Sequence, residues 1–568
     1  VTETKSRSKQ FDWRGLGYLY LFFWYFSGVT QTLLLVTKTT PSGGFGNIIY
    51  LSAIWLIPVL LFPKYTKLLS GIIGLVLWAA SLVSLGYFSI YGQEFSQSVI
   101  FVIFETNTAE IGEYITQYFN IWTALLLIAY SLIGLFLWTR IRPVYLPSHR
   151  ILICTALFLS IIAYPILKSI SSTWGNTIDR IEAKVEPAVP WQLLVGYHEY
   201  QKQLTEMKKL LDSNAALPPL QNLQEAGDDK QRTVVLVIGE STSTKHMSLY
   251  GYPRKTTPEL DALRDAKQIT VFKDVVAPRP YTIETLQQVL TFADELHPDL
   301  YLTQPSLMNM MKQAGYKTFW ITNQQTISKR NTMLVNFSQQ TDEQYYLNNQ
   351  RKQNAKQYDG VVLDPFKKVL NDSAPKKLII VHLLGTHMSY QYRYPEAFAK
   401  FKDRDVVPST LNQNSADEYN TYDNAVLYND YVVSSLIKDM AASDPNGFLI
   451  YFSDHGEEVY DMPPHNIIGR DEAAPTRNMY TIPFILWTSP KWQANHPRHY
   501  QADVERPYST QYFIHTWSDM LGLSYDGFEP EKSVVSDKFK PTTRWIGAPG
   551  SHKGLYDFAK LPVESTTE

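Results

Sequence analysis

Cysteine is almost absent from this chain of 568 residues. The single one, Cys154, lies inside an apolar run, which excludes a disulfide framework and any cysteine-based metal site. A metal would have to be held by histidine, carboxylate or hydroxyl oxygen. A basic block is missing as well: 52 Lys and Arg stand against 54 Asp and Glu, for a formal net charge of −2, which argues against nucleic acid as a partner. No internal repeat or low-complexity segment is present, and the first apolar run lacks the small-residue cleavage site of a removable signal peptide. The mean hydropathy of −0.19 hides a division. Before about Lys168 apolar runs dominate, and beyond it the composition is that of a soluble domain. The chain is too long for one core, so two or more domains are expected.

Five stretches are long enough, or nearly so, to cross a hydrocarbon layer of about 30 Å at about 1.5 Å per residue. They are Gly15 to Val36, Ile48 to Phe62, Leu68 to Tyr87, Ile121 to Trp138 and Ile151 to Leu167. Lys5, Arg7, Lys9 and Arg14 precede the first, Lys64 and Lys67 follow the second, and Arg140, Arg142 and Arg150 follow the fourth. The other connections are nearly free of basic residues, so the N-terminus is expected in the cytoplasm and everything after Leu167 outside. This gives a five-helix membrane domain at 1–170 with an external loop at 91–120, a bridging segment at 171–232 and a soluble domain at 233–568. In the external loop, Val99 to Phe104 is too short to span and is expected at the interface, followed at headgroup depth by Glu105, Asn107 and Glu110. These three either cap a helix or meet a cationic lipid headgroup. Leu193, Tyr197, Tyr200, Leu204, Met207 and Leu211 then recur at helical spacing as an amphipathic helix, and Asn214 to Asp229 reads as a linker.

From Thr233 the pattern changes to short β-rich runs separated by helical segments. Strands are predicted at Thr233 to Ile238, Lys317 to Thr322, Leu378 to His382, Phe448 to Ser453 and Ile482 to Trp487, with helices such as Leu302 to Ala314 and Tyr428 to Met440 between them. This alternation predicts a mainly parallel sheet covered by helices on both faces. Unbroken hydrophobicity in T-V-V-L-V-I marks a strand buried on both sides, and Glu240 follows its end directly, where open α/β sheets place ligands. Asp454 and His455 follow another strand, and His382 and His387 bracket the end of a third in H-L-L-G-T-H. An Asp-His pair at a strand end fits a hard or borderline dication bound through N and O donors. His465 comes eleven residues after Asp454, and His515, in an amphipathic helical stretch, reads as structural. A covalent route needs a hydroxyl. Ser241, Thr242, Ser243, Thr244, Thr282 and Thr285 are all candidates, and composition does not choose among them.

The ordered set G-E-S, S-L-Y-G-Y-P-R-K-T-T-P-E-L, P-Y-T-I-E-T, G-T-H and S-D-H-G-E-E resembles the phosphoethanolamine transferases of Gram-negative inner membranes, in the alkaline phosphatase and sulfatase superfamily. Within that family the chain is most similar to the enzymes acting on the phosphorylated first heptose of the lipopolysaccharide core. The resemblance implies an α/β/α catalytic domain in the periplasm and a zinc site of Glu240, Thr282, Asp454 and His455. It implies Thr282 as nucleophile, His387 and His465 against the phosphoryl group or substrate, and Glu105, Asn107 and Glu110 near a phosphatidylethanolamine donor. A monomer is expected. Relatives that modify lipid A have C-G-T around the nucleophile, where this chain has P-Y-T, and disulfides in the soluble domain, which the lone cysteine rules out here; this second departure argues against a lipid A acceptor.

Three rivals remain at this level. A phosphoglycerol transferase of the same superfamily shares the topology and the threonine. A sulfatase would require a Cys or Ser in a C/S-x-P-x-R context, which is missing near Thr282. A lapsed sensor is opposed by the presence of Glu240, Thr282, Asp454 and His455 together.

Overall fold

The computed structural model describes residues 11–37, 43–91, 95, 121–146, 149–170, 181–182, 184–198, 201, 205, 217–227, 229–324, 333–348, 358–472, 474–547 and 554–563. It divides into two compact units, one built mainly from the N-terminal 200 residues and the other from residue 201 onward.

The first unit is helical: α1 (Trp13–Val36), α2 (Gly43–Ser52), α3 (Leu56–Leu61), α4 (Thr66–Tyr91), α5 (Ile121–Arg140) and α6 (Arg150–Ile170). Among the described residues four stretches, Trp13–Val36, Gly44–Leu61, Pro63–Ser89 and Ile121–Arg140, are long and apolar enough to cross a membrane, and the shorter apolar helix Arg150–Tyr164 lies within α6. The second stretch begins earlier than its hydrophobicity predicts because Gly43, Gly44 and Gly46 are helical too. Phe22, Phe26, Leu77 and Tyr130 are buried at the centre of this unit. Two of its buried hydroxyls find partners inside the unit, as hydrocarbon favours: Tyr25 donates to the Tyr130 carbonyl (2.7 Å), and Tyr130 donates to Ser81 Oγ (2.7 Å). Of the predicted amphipathic helix, residues 191–198 are helical and Leu193 packs on this core. Tyr200, Leu204, Met207 and Leu211, like Glu105, Asn107, Glu110 and the run Val99 to Phe104, lie outside the described residues.

The second unit is built on a seven-stranded sheet of β1 (Arg232–Gly239), β2 (Ile269–Phe272), β3 (Lys317–Thr322), β4 (Glu343–Tyr346), β5 (Lys376–His382), β6 (Gly447–Ser453) and β7 (Phe484–Thr488), in the order β2-β7-β6-β1-β5-β3-β4. β1 lies at the centre, parallel to β5 on one side and β6 on the other. Alternation along it feeds two cores. Val234, Leu236 and Ile238 pack towards α8 (Thr282–Val289), α9 (Leu307–Gln313) and α12 (Phe513–Leu521). Val235 and Val237 pack towards α7 (Pro258–Asp265), α10 (Leu363–Leu370) and α11 (Gln413–Ala442). Each such side chain contributes about 1.5–3 kcal/mol on burial, so β1 is fixed in register and Glu240 with it.

Several expectations change in detail. β7 runs antiparallel to β6 and β2, and β2 and β4 are four-residue strands too short to stand out by pattern. The helix expected from Leu302 begins at Leu307, because Pro305 interrupts and Ser306 caps it by accepting from the Asn309 amide (3.3 Å). The supposed linker is partly structured: Leu217, Leu220 and Leu223 pack on the first core, and Gln224–Glu225 pairs with Leu523 and Ser524.

α11 is fastened by charge. Buried His246 places Nδ1 2.6 Å from Asp423 Oδ1 on α11 and Nε2 3.1 Å from Asp461 Oδ2, while Arg254 and Tyr252 both donate to Asp423 Oδ2 (2.8 and 2.9 Å). Rings of Tyr252, Tyr419 and Tyr422 enclose the imidazole. Burial opposes its charge, but Asp461 and then Asp423 outweigh burial and push it up from 6.5 to about 10. A pKa raised on folding stabilises fully below the unfolded value and is lost as pH climbs through the folded one. Melting temperatures followed between about pH 6.5 and 10 should therefore fall with rising pH, and His246→Gln should flatten that fall.

Candidate functional site

The C-terminal ends of β1, β5 and β6 converge on one cluster. Glu240 follows β1, and Ser241 turns the chain with φ of 55°. Asp454 and His455 follow β6 in register beside it, with the Asp454 amide donating to the Gly239 carbonyl (3.1 Å). The loop after β5 presses its backbone on Glu240: Gly385 has φ of 56°, and a Cβ there would meet the Glu240 carbonyl oxygen at 2.7 Å. Only glycine fits that approach. Tyr422 from α11 donates to the Ser241 carbonyl (2.6 Å) and accepts from the Ser243 amide (3.0 Å).

Glu240, Asp454 and His455 are fully buried and offer ligand atoms within 4.8 Å of one another. The His455 Nδ1–H donates to the Gly456 carbonyl (2.9 Å), which fixes the tautomer and turns the Nε2 lone pair towards Glu240 Oε1 (3.1 Å) and Asp454 Oδ2 (3.4 Å). Asp454 Oδ2 makes no hydrogen bond of standard geometry among the described residues. Burial works against Glu240, yet His455, His387 and Arg470 hold its carboxyl well below the usual range. Burial first, and then the Glu240 charge, push Asp454 well above it. Two carboxylates and an imidazole lone pair facing one another demand a positive charge, so the donor set fits a dication such as zinc, bound by N and O atoms alone.

Thr282, the first residue of α8, donates from Oγ1 to Glu240 Oε2 (3.0 Å). Of the other hydroxyl candidates, Ser241 donates to Glu240 Oε1 (2.9 Å), Thr242 and Thr285 bond to backbone carbonyls, and Ser243 caps the turn at Lys245. His387 lies near enough for Glu240 to act on it, though burial keeps its pKa down at about 3. His465, at φ of 62°, donates Nδ1–H to the Tyr460 carbonyl (2.7 Å) and has no hydrogen bond to Glu240, Thr282, Asp454 or His455. His382 is core, edge-on to Trp320 at 6.0 Å, and His515 is structural, its Nδ1 accepting from the Glu529 amide (3.2 Å).

Three groups were not anticipated from the sequence. Arg470 directs Nη1 to His455 Nε2 (2.5 Å) with Glu240 Oε1 at 3.5 Å, and Gln324 Nε2 donates to Glu240 Oε2 (3.1 Å). Both approach across long sequence separations, for which a single chain carries no signal. Arg279 grips Glu295 with two bonds (2.6 and 2.8 Å) and Glu472 with a third (3.2 Å), while its carbonyl accepts from Thr285 on α8. It thereby sets the turn that delivers Thr282. Arg279→Ala would leave two buried carboxylates without this counter-charge, and an unfolding titration should show a loss of about 3–5 kcal/mol.

A buried anion-and-imidazole site at the strand ends of a three-layer α/β/α domain defines the sulfatase class of fold, and residues 232–523 match the Sulfatase family. Within that class the chain belongs to the phosphoethanolamine transferases. It is 58% identical over 558 residues, 97% of both chains, to the phosphoethanolamine transferase EptC of Escherichia coli (strain K12). The crystal structure of the C-terminal periplasmic domain of the Escherichia coli protein, in complex with Zn, is 65% identical with a TM-score of 0.61, covering 61% of this chain and 98% of that one. The integral membrane lipooligosaccharide phosphoethanolamine transferase A (EptA) of Neisseria meningitidis shares the fold at 19% identity and a TM-score of 0.62, over 93% of this chain and 98% of its own.

Proposed function

We propose that this enzyme moves phosphoethanolamine from phosphatidylethanolamine to a phosphate on heptose I of the lipopolysaccharide inner core, through a covalent intermediate on Thr282, and releases diacylglycerol. The observation that carries the reading is the Thr282 hydroxyl held 3.0 Å from the ionised Glu240, beside Asp454 and His455. Glu240, Asp454, His455 and Thr282 would hold the zinc, which when bound would supply positive charge to stabilise the threonine and phosphoryl oxygens. Support for zinc comes from the donor set and from the Zn complex of the 65% identical domain.

In the first half-reaction Thr282 Oγ1 bonds to phosphorus and the bond from phosphorus to the glycerol oxygen breaks. The Thr282 proton passes along its hydrogen bond to Glu240 Oε2 as the oxygen attacks, and the N-terminal end of α8, which Thr282 opens, favours the phosphoryl anion through the helix dipole. Neutral His387 offers an N–H to a phosphoryl oxygen. His465, its Nδ1–H committed to Tyr460, gives a proton from Nε2 to the departing glycerol oxygen. In the second half-reaction an oxygen of the monoprotonated acceptor phosphate attacks phosphorus, its proton returns to His465 Nε2, and Thr282 leaves and regains its proton from Glu240.

The helical unit anchors the enzyme in the bilayer that holds its donor lipid. Lifting a donor lipid out would cost about 0.8 kcal/mol for each acyl CH₂ exposed. In this reading the enzyme is a monomer of the inner membrane with a cytoplasmic N-terminus and a periplasmic catalytic unit, and Glu105, Asn107 and Glu110 receive the donor headgroup. Intact-protein mass spectrometry of the zinc-loaded enzyme, incubated with headgroup-labelled phosphatidylethanolamine, should show a phosphoethanolamine adduct that maps to Thr282. An adduct formed from phosphatidylglycerol instead would overturn the donor.

A further inference from the structure

The loop from Tyr460 to His465 is held in an unfavourable shape. Tyr460 and His465 are both non-glycine residues in the left-handed region, with φ of 61° and 62°, each costing about 1–3 kcal/mol unless the surroundings impose it. Those surroundings are specific. The Asp461 and Met462 amides both donate to Glu458 Oε1 (2.8 Å each), and the Tyr460 hydroxyl donates to Glu418 Oε2 on α11 (3.0 Å). The Asp461 carboxylate reaches His246 Nε2, whose other nitrogen meets Asp423 on the same helix. Carboxylates at both ring nitrogens require a proton on each, so the ring between them is an imidazolium. Asp423 is followed along α11 by residues of the second core and preceded by Tyr422, which grips the Ser241 carbonyl beside Glu240. One imidazole therefore ties the loop that carries His465 to the helix that braces the turn after Glu240.

We propose that His246 is a positioning residue for His465: doubly protonated and pinned between Asp423 and Asp461, it fixes the strained loop and thereby sets where the His465 ring stands. This rests on the proton-transfer role proposed for His465. His246 itself touches none of Glu240, Thr282, Asp454 or His455; it acts through Asp461.

The test is a double-mutant cycle in the full-length, zinc-loaded enzyme, reading the rate of donor-dependent adduct formation at saturating phosphatidylethanolamine. Asp461→Asn keeps the side chain's size and removes its charge while His246 remains paired with Asp423. The expected result is that His465→Ala lowers kcat by about 100-fold, in the range of a lost general acid. Asp461→Asn should lower kcat by about tenfold with KM unchanged, and the double variant should be no slower than His465→Ala within about twofold, because both act through one ring. Losses that multiply, or an Asp461→Asn enzyme of full activity, would overturn the proposal while leaving the role of His465 intact. If His465→Ala has no effect, that role falls. The positioning claim is then decided by solid-state NMR of ¹⁵N-histidine-labelled enzyme in lipid: it requires both His246 nitrogens to be protonated at about pH 7 and the His465 signals to move in Asp461→Asn. A neutral His246 or unmoved His465 signals overturn it.

Discussion

Replacing Thr282 by alanine is expected to abolish transfer, lowering kcat by at least about 10⁴-fold, as removal of an attacking group does in covalent catalysis. The argument is geometric. Ser241 also donates to Glu240, but it sits on the turn immediately after β1 and its carbonyl is gripped by Tyr422, whereas Thr282 opens α8, whose N-terminal end favours an anion through the helix dipole. The change removes one of the four proposed zinc ligands, but Glu240, Asp454 and His455 remain together, so zinc should still bind, with lower affinity. The measurement is turnover with radiolabelled donor together with the mass of the incubated protein. An alanine variant that still transfers phosphoethanolamine at a substantial rate would remove Thr282 from the mechanism.

Asp454→Asn has the second largest expected effect, and it has two opposite signs. With zinc present the variant should lose affinity by more than about 100-fold, above the range seen when only outer-shell partners are removed. Without zinc it should be more stable than the parent. Buried beside Glu240, Asp454 is held protonated above its usual range, so the folded state binds that proton more tightly than the unfolded state. Stability of the metal-free protein is therefore lost as pH rises past the ordinary carboxylate range. Asparagine removes this conflict, raising the melting temperature by about 2–4 °C for each kcal/mol relieved. Calorimetry with and without a chelator reads both effects, and a variant destabilised in both states would refute a charge-driven site.

The sheet was legible where its strands are long and buried on both faces. T-V-V-L-V-I and the strand ending at Ser453 announce themselves because neither face meets water, and the carboxylates and histidine just beyond their ends could be read off directly. The half-buried edge strand Glu343–Tyr346 has no such signature. Only the second half of α11 showed a helical pattern, because Asn420, Asp423 and Asn424 are polar residues inside the protein, buried to pair with Arg254, His246 and the backbone at Lys400 and Phe401. Apolar periodicity does not register a helix whose inward face is a hydrogen-bonding surface. Thr282 was singled out by resemblance, since nothing in R-P-Y-T-I-E-T states that its turn folds against Glu240. Arg470 lies 230 residues from Glu240 and was found only in three dimensions.

The reversal of β7 against β6 has a consequence for how such an enzyme diversifies. A parallel step would require a crossover connection that carries the chain back to the opposite end of the strands. The antiparallel step instead lets residues 454–483 leave and re-enter at the same end, with Phe484 set opposite Phe452. That excursion carries Asp454, His455, His465 and Arg470, yet no strand order depends on its length or course. Between its fixed points at Asp454, His455, Asp461, Arg470 and Glu472, its length can change by insertion, so new acceptor preferences can be tried there while the strands beneath keep their hydrogen bonds.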